Sequence, residues 1–206
     1  GATLDVENNT YAFAYNSTVA NTSTNYMMYG SYWRNVENNI VYNNLGGTGT
    51  KYLHYDNGGC TSYTNWRNNN FYYGAGAAGT LYNGYGGSPC VTTTDMAGMY
   101  AAGMNSTNIS VEPDFIDLGP NSDLTPTGIG MANKGKVVTG LTKDFKGATR
   151  SSTPDIGALE YTVDLQVTAF NLTFPSPACS GFTSAIGGTI KNNSAYTLKN
   201  PTMAYR

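Results

Sequence analysis

Few residues in this 206-residue chain are of types that do chemistry, and their spacing decides what each can do. The single histidine, His54, has no nucleophile-elbow sequence and no cysteine pair beside it, so neither a Ser–His–Asp triad nor a zinc site is indicated. Asp5, Glu7, Glu37 and Asp56 are the early carboxylates, and Arg34, Lys51 and Arg67 the early cations. A polysaccharide hydrolase needs two facing carboxylates, and a lyase needs a base with Ca²⁺ or arginine to stabilise an enolate. Glu7 and Glu37, 30 residues apart, are the suggestive pair, although stacked charges on a solvated face are the plainer reading. Asp114, Asp117 and Asp123 carry oxygens suited to Ca²⁺, and turn chemistry is preferred for them. Gly74–Gly79 spells GxGxxG after Phe71-Tyr72-Tyr73, but a dinucleotide site requires a following helix that Thr80–Pro89 cannot supply. No catalytic, cofactor-binding or metal residue is assigned, and no enzymatic activity is expected.

Cys60 and Cys90 are also 30 residues apart, each close behind a Gly-Gly pair (Gly58-Gly59 and Gly86-Gly87). Residues stacked one repeat apart bring Cα atoms near the window of about 4.4–6.8 Å that a disulfide requires, so the two are expected to be bridged. A disulfide implies an oxidising compartment outside the cytoplasm. Cys179 is left without an assigned partner. The tyrosines and tryptophans are the stronger functional lead. Tyr26, Tyr29, Tyr32, Trp33, Tyr52, Tyr55, Tyr63, Trp66, Tyr72, Tyr73, Tyr82 and Tyr85 exceed what a narrow core holds. Exposed, they offer flat faces with a polar edge to sugar rings or protein partners; buried aromatic ladders are the plainer alternative.

The elements that position these residues follow from a repeat. Val6-Glu7-Asn8-Asn9 recurs as Val36-Glu37-Asn38-Asn39, and again as Trp66-Arg67-Asn68-Asn69. Each copy runs into a short strand-like segment: Thr10–Phe13, Ile40–Tyr42 and Phe71–Tyr73. Short strands, glycine clusters and no helical period describe coils of a parallel β-solenoid. Stacking at about 4.8 Å lets Asn9, Asn39 and Asn69 pass amide hydrogen bonds along a ladder, a structural rather than catalytic set. Thr94 or Asp95 is placed to cap a short helix through Met96–Ala101.

Composition excludes other classes. Only 12% of residues are charged, whereas Asn, Thr, Ser and Gly number 24, 27, 14 and 25. That balance does not fit a helical bundle, and a net charge of −2 argues against nucleic-acid binding. No run of 18 apolar residues offers a membrane span. Residues 1–130 hold three basic and nine acidic groups, residues 131–206 eight and four, which marks a change of architecture near residue 130.

Two stretches resemble known families. Asn108-Ile109-Ser110-Val111-Glu112-Pro113-Asp114-Phe115-Ile116-Asp117 resembles the "NI-x-x-DP-x-F-x-D" segment of bacterial secreted right-handed parallel β-helix proteins. Thr153-Pro154-Asp155-Ile156-Gly157-Ala158-Leu159-Glu160-Tyr161 is similar to their closing "PDIGA-x-E" motif, while Leu124-Thr125-Pro126 and Asn133-Lys134-Gly135 echo the stretch between. From Asp164-Leu165-Gln166-Val167-Thr168 onward, through Ile186–Ser194, the chain looks like an immunoglobulin-like module of Bacteroidetes surface adhesins exported by the type IX pathway. These resemblances imply an all-β chain: a right-handed parallel β-helix of about three to five coils, then a partial immunoglobulin-like β-sandwich. Residues 1–161 would be the C-terminal part of the β-helix, with 105–161 its closing segment, and 162–206 the first strands of a truncated sandwich. Both ends therefore read as cut from a longer protein. The function implied is a structural or adhesive region at the bacterial cell surface or outside the cell, a rigid spacer or a surface for glycans or other proteins. Two alternatives remain: a polysaccharide lyase or hydrolase with catalytic coils upstream, or a filament subunit joined by β-strand complementation. Neighbouring domains or subunits would be its partners, and no cofactor is expected beyond Ca²⁺ at the aspartates.

Overall fold

The structure, a computed structural model, describes residues 4–13, 22–30, 33–57, 65–74, 78–84, 92–119, 122–161, 165–172 and 186–193. The asparagine pairs shape the first part of it. Asn8, Asn38 and Asn68 hold φ of 55°, 57° and 56°, a left-handed conformation that asparagine tolerates better than most residues with a Cβ. Each turns a corner between two short strands. The first repeat comprises β1 (Leu4–Glu7), β2 (Thr10–Phe13) and β3 (Asn25–Gly30). The second comprises β4 (Trp33–Glu37), β5 (Ile40–Asn43) and β6 (Lys51–Asp56), and the third β7 (Trp66–Arg67), β8 (Asn70–Tyr73) and β9 (Thr80–Gly84).

Equivalent strands pair in parallel, and like residues fall beside like. Val6, Val36 and Trp66 form one column, Tyr11, Val41 and Phe71 a second, and Met28, His54 and Tyr82 a third. These side chains, with Leu53 and Leu81, make the buried core. Each fully buried large apolar side chain contributes about 1.5–3 kcal/mol. The third repeat ends differently from the others. β10 (Thr92–Thr93) pairs antiparallel with β9, and α1 (Met96–Ala101) follows. Asp95 is its N-cap, accepting from the Gly98 N–H at 2.7 Å, and Met99 and Met104 join the core. Beyond come an antiparallel pair, β11 (Phe115–Asp117) with β12 (Asp123–Pro126), and a 3₁₀ turn at Ile129–Met131.

The chain divides into two compact units, Gly1–Tyr161 and Thr162–Arg206. Among the described residues the second unit holds one antiparallel pair, β13 (Leu165–Leu172) with β14 (Ile186–Asn192).

The expected right-handed parallel β-helix followed by a partial β-sandwich is therefore corrected. Strands dominate, but they form five small sheets of two to four strands, none closed, and mix parallel with antiparallel pairing. The physical reason is local. Strands in the repeats run for only two to six residues before an asparagine or glycine corner interrupts them. The antiparallel β10 then turns the sheet of β3, β6 and β9 away from a purely parallel plan.

Residues 133–161 have little regular structure and are held by side chains instead. Asn68 Nδ2 donates to the Lys134 carbonyl at 2.7 Å, and Asn38 exchanges two bonds with the Lys136 backbone. The segment returns through Gly157 N–H to Asn38 O and Ala158 N–H to Thr10 Oγ1. Gly157 sits at φ 108°, where an added Cβ would lie 2.6 Å from Ile40 Cδ1. Within the segment a buried Arg150 meets Glu160 at 2.8 Å. Asp155 accepts from the backbone N–H groups of Asn133 and Tyr161, both at 2.7 Å. Burial pushes the Asp155 carboxyl above its ordinary value despite these bonds. The acids of the Pro154–Tyr161 motif thus act as a clasp.

Candidate functional site

Parallel pairing one repeat apart sets Tyr26 beside Tyr52 and Tyr29 beside Tyr55. The two pairs stack with ring centroids at 5.3 and 5.5 Å and interplanar angles of 12° and 4°. Edge contacts of 5.2 Å (Tyr26–Tyr29), 5.0 Å (Tyr26–Tyr55) and 5.3 Å (Tyr52–Tyr55) tie them into one four-ring array. Tyr29 is 54% exposed and Tyr26 38% exposed, with Tyr52 and Tyr55 half-buried. In the third repeat Thr80 and Asn83 occupy the matching positions, so the aromatic face ends there.

Other aromatics are structural. Trp66 and Tyr82 are buried, and Trp66 lies 4.3 Å from the His54 ring. Burial pushes the His54 imidazole down to about 3, which keeps it neutral at ordinary pH. Tyr42, in edge contact with Phe115, is pushed up to about 12 by burial, with Glu112, Tyr72 and Asp114 adding to the effect. Tyr73 places its hydroxyl within 3.0 Å of the Lys51 carbonyl and 2.8 Å of the Thr80 carbonyl, and burial raises it further. Tyr32, Tyr63 and Tyr85 lie outside the described residues.

Glu7 and Glu37 are neighbours in register, in a groove of about 390 Å³ that also meets Asn35, Arg67 and Lys136. Glu37 is buried, and its carboxylate accepts from Arg67 Nε at 2.6 Å and from Lys136 Nζ at 2.9 Å. Two cations on one carboxylate hold it ionised and engaged, which suits a structural anchor better than a proton donor. Lys136 is 99 residues from Glu37, and nothing in the spacing of the repeats pointed to it.

Comparison of the chain with protein-family models, with curated proteins and with solved structures finds no match. Its chemistry is read from its own residues.

Asn9, Asn39 and Asn69 are joined as a ladder. The N–H and Nδ2 of Asn9 donate to Asn39 Oδ1, both at 3.1 Å, and those of Asn39 to Asn69 Oδ1 at 2.9 and 3.0 Å. A fourth member, Asn108, accepts from Asn69 at 3.1 and 2.9 Å. Its distance of 39 residues, rather than 30, hid it; α1 lies in the longer connection.

The aspartates do not converge. Asp117 accepts from Gly119 N–H at 2.7 Å, and Asp123 from the Thr125 N–H and hydroxyl, all within their own turns. Among the described residues no three His, Cys, Asp or Glu side chains are grouped to hold a metal ion. After the glycine cluster at 74–79 comes strand β9, so the order of elements is not that of a dinucleotide fingerprint. Cys60, Cys90 and Cys179 lie outside the described residues. No helix among the described residues is long and apolar enough to cross a membrane.

Proposed function

We propose that this chain is a non-catalytic binding module of an extracellular bacterial surface protein, and that its tyrosine face takes carbohydrate. The observation that carries this reading is the array of Tyr26, Tyr29, Tyr52 and Tyr55. Four rings fixed by mutual stacking lose little side-chain freedom on binding, and they offer apolar faces edged by hydroxyl groups. Sugar rings present the complementary pattern, axial C–H surfaces and equatorial hydroxyls. The low charge and the abundance of Asn, Thr and Gly support a location outside the cell. Glycan-array binding without turnover, lost in Tyr29→Ala, is the expected result; unchanged binding in that variant would remove the tyrosine face from the reading.

A second reading has one observation of its own, the adjacent Glu7 and Glu37 in a groove with Arg67 and Lys136. It makes the chain part of a polysaccharide lyase or hydrolase. Depolymerisation of a uronate polymer, abolished by Glu37→Gln while the variant stays folded, would replace the first reading with this one.

A further inference from the structure

The asparagine ladder has a direction. Each inner asparagine donates through N–H and Nδ2 to the Oδ1 of the next, from Asn9 to Asn39, Asn69 and Asn108. At its last member the ladder closes on itself. Asn108 turns its N–H and Nδ2 onto the Asn105 carbonyl, at 3.1 and 2.9 Å, and its Nδ2 also onto the Trp66 carbonyl at 2.7 Å. At the first member it stays open: Asn9 Oδ1 meets no donor among the described residues. Beside it Asn8 Oδ1 accepts from Asn38 Nδ2, whereas the buried Asn8 Nδ2 has no acceptor.

The same edge is open in the backbone. β1, β2 and β3 are the terminal strands of their parallel ladders, each paired on one side only among the described residues. Along β2 runs a groove of about 430 Å³, walled by Asn9, Tyr11, Leu124, Phe145 and Leu159. Phe145 stands 87% exposed at its rim.

We propose that this edge binds a separate polypeptide, which adds a strand, an Asn-Asn corner and a second strand in parallel register. The incoming inner asparagine donates to Asn9 Oδ1, its outer neighbour accepts from Asn8 Nδ2, and an apolar side chain of the second strand enters the groove beside Phe145. The chain displays the fit within itself, since β4-Asn38-Asn39-β5 meets β1-Asn8-Asn9-β2 in this way. Strand addition of this kind draws affinity from main-chain bonds and specificity from side-chain pockets. The ladder's direction also says what the partner is not. A second copy approaching about a two-fold axis would pair β2 antiparallel, setting Asn9 against the far end of the partner strand and leaving Oδ1 unmet. A copy stacked head to tail would present Asn108, whose donors are already engaged.

The site is independent of the tyrosine face, and its test is too. A labelled peptide with the sequence of residues 33–43, Trp-Arg-Asn-Val-Glu-Asn-Asn-Ile-Val-Tyr-Asn, is titrated into the full chain and followed by anisotropy. Hydrogen exchange is read at the Thr10–Phe13 amides in parallel. The expected result is saturable binding that slows exchange at β2 and weakens about tenfold when the peptide carries Asn39→Leu. Phe145→Ser in the protein should weaken it similarly, and its exposure makes folding of that variant safe. Absence of saturation up to about millimolar peptide, equal binding of the Asn39→Leu peptide, or protection elsewhere than β2 would each overturn the proposal.

Discussion

The two ends of the asparagine ladder face the same physical problem and meet it differently. At the Asn108 end the surplus groups are donors, and one nearby carbonyl, that of Asn105, accepts both. The helix α1 then brings Met99 and Met104 over the apolar columns. At the Asn9 end the surplus group is an acceptor, and the described residues offer it no donor. A ladder of identical amides is thus polar, like a helix with its unpaired N–H and C=O ends. Its two ends need different caps, so an interior asparagine should matter far more than a terminal one.

Asn69→Ala against Asn9→Ala tests that most directly. Removing the Asn69 side chain leaves the Asn39 N–H and Nδ2 without their acceptor and strips the Val36 carbonyl of its donor. Buried groups left unpaired cost about 1–3 kcal/mol each, so a loss of about 4 kcal/mol is expected in urea unfolding. Asn9→Ala removes only the outermost Nδ2 and should cost about 1 kcal/mol. Equal losses would show that the ladder has no meaningful end.

Acid is the next lever, and it acts on the interior. His54 stands in register between Met28 and Tyr82, with its folded-state value pushed down by burial to about 3. Unfolding releases an imidazole of ordinary affinity, so the unfolded chain binds more protons below about pH 6.5. Stability is then full above that value and lost as pH falls toward 3, by about 1.4 kcal/mol per pH unit. His54→Met, which copies the Met28 side chain of the neighbouring repeat, should flatten that part of the pH–stability curve. A profile unchanged by the substitution would place the acid sensitivity elsewhere.

How much of this was legible in the sequence depends on the range of the interaction. The 30-residue return of Val-Glu-Asn-Asn predicted which residues would lie beside which, because register follows directly from a fixed repeat. Asp95 was readable as a cap, because capping is decided within four residues. The sheet plan was not: strand brevity and the antiparallel β10 overrode the expectation of a β-helix and a sandwich, and no spacing announces either. Nor could the closing segment be foreseen to hold Asn38 and Asn68, since it does so largely through the Lys134 and Lys136 carbonyls, which every residue possesses. The Glu7–Glu37 pairing was visible, whereas the Lys136 that engages Glu37 comes from a part of the chain outside the repeat.

That engagement gives a smaller prediction. Arg67 and Lys136 are each about a third exposed, so water takes over part of their solvation when Glu37 becomes glutamine. The cost should be about 1–2 kcal/mol, below the 3–5 typical of a fully buried pair broken on one side. Glu7→Gln, one repeat nearer the open end, should cost less still. A larger loss for Glu7 would reverse the contrast between interior and edge.

The smallest effect on stability is expected at the tyrosine face, and there the contrast is most useful. Tyr29 and Tyr82 occupy the same ladder of strands, one in the edge strand β3 and one in β9. Tyr82 is fully buried, and its replacement by alanine should cost about 3–5 kcal/mol. Tyr29 gives up only its stacking on Tyr55 and edge contact with Tyr26, about 0.5–1 kcal/mol. If Tyr29→Ala unfolds the protein, the array belongs to the core and carries no ligand. If the variant melts near the parent while glycan binding disappears, the rings at this edge are kept exposed at little cost to the fold, and contact with a ligand is the role left to them.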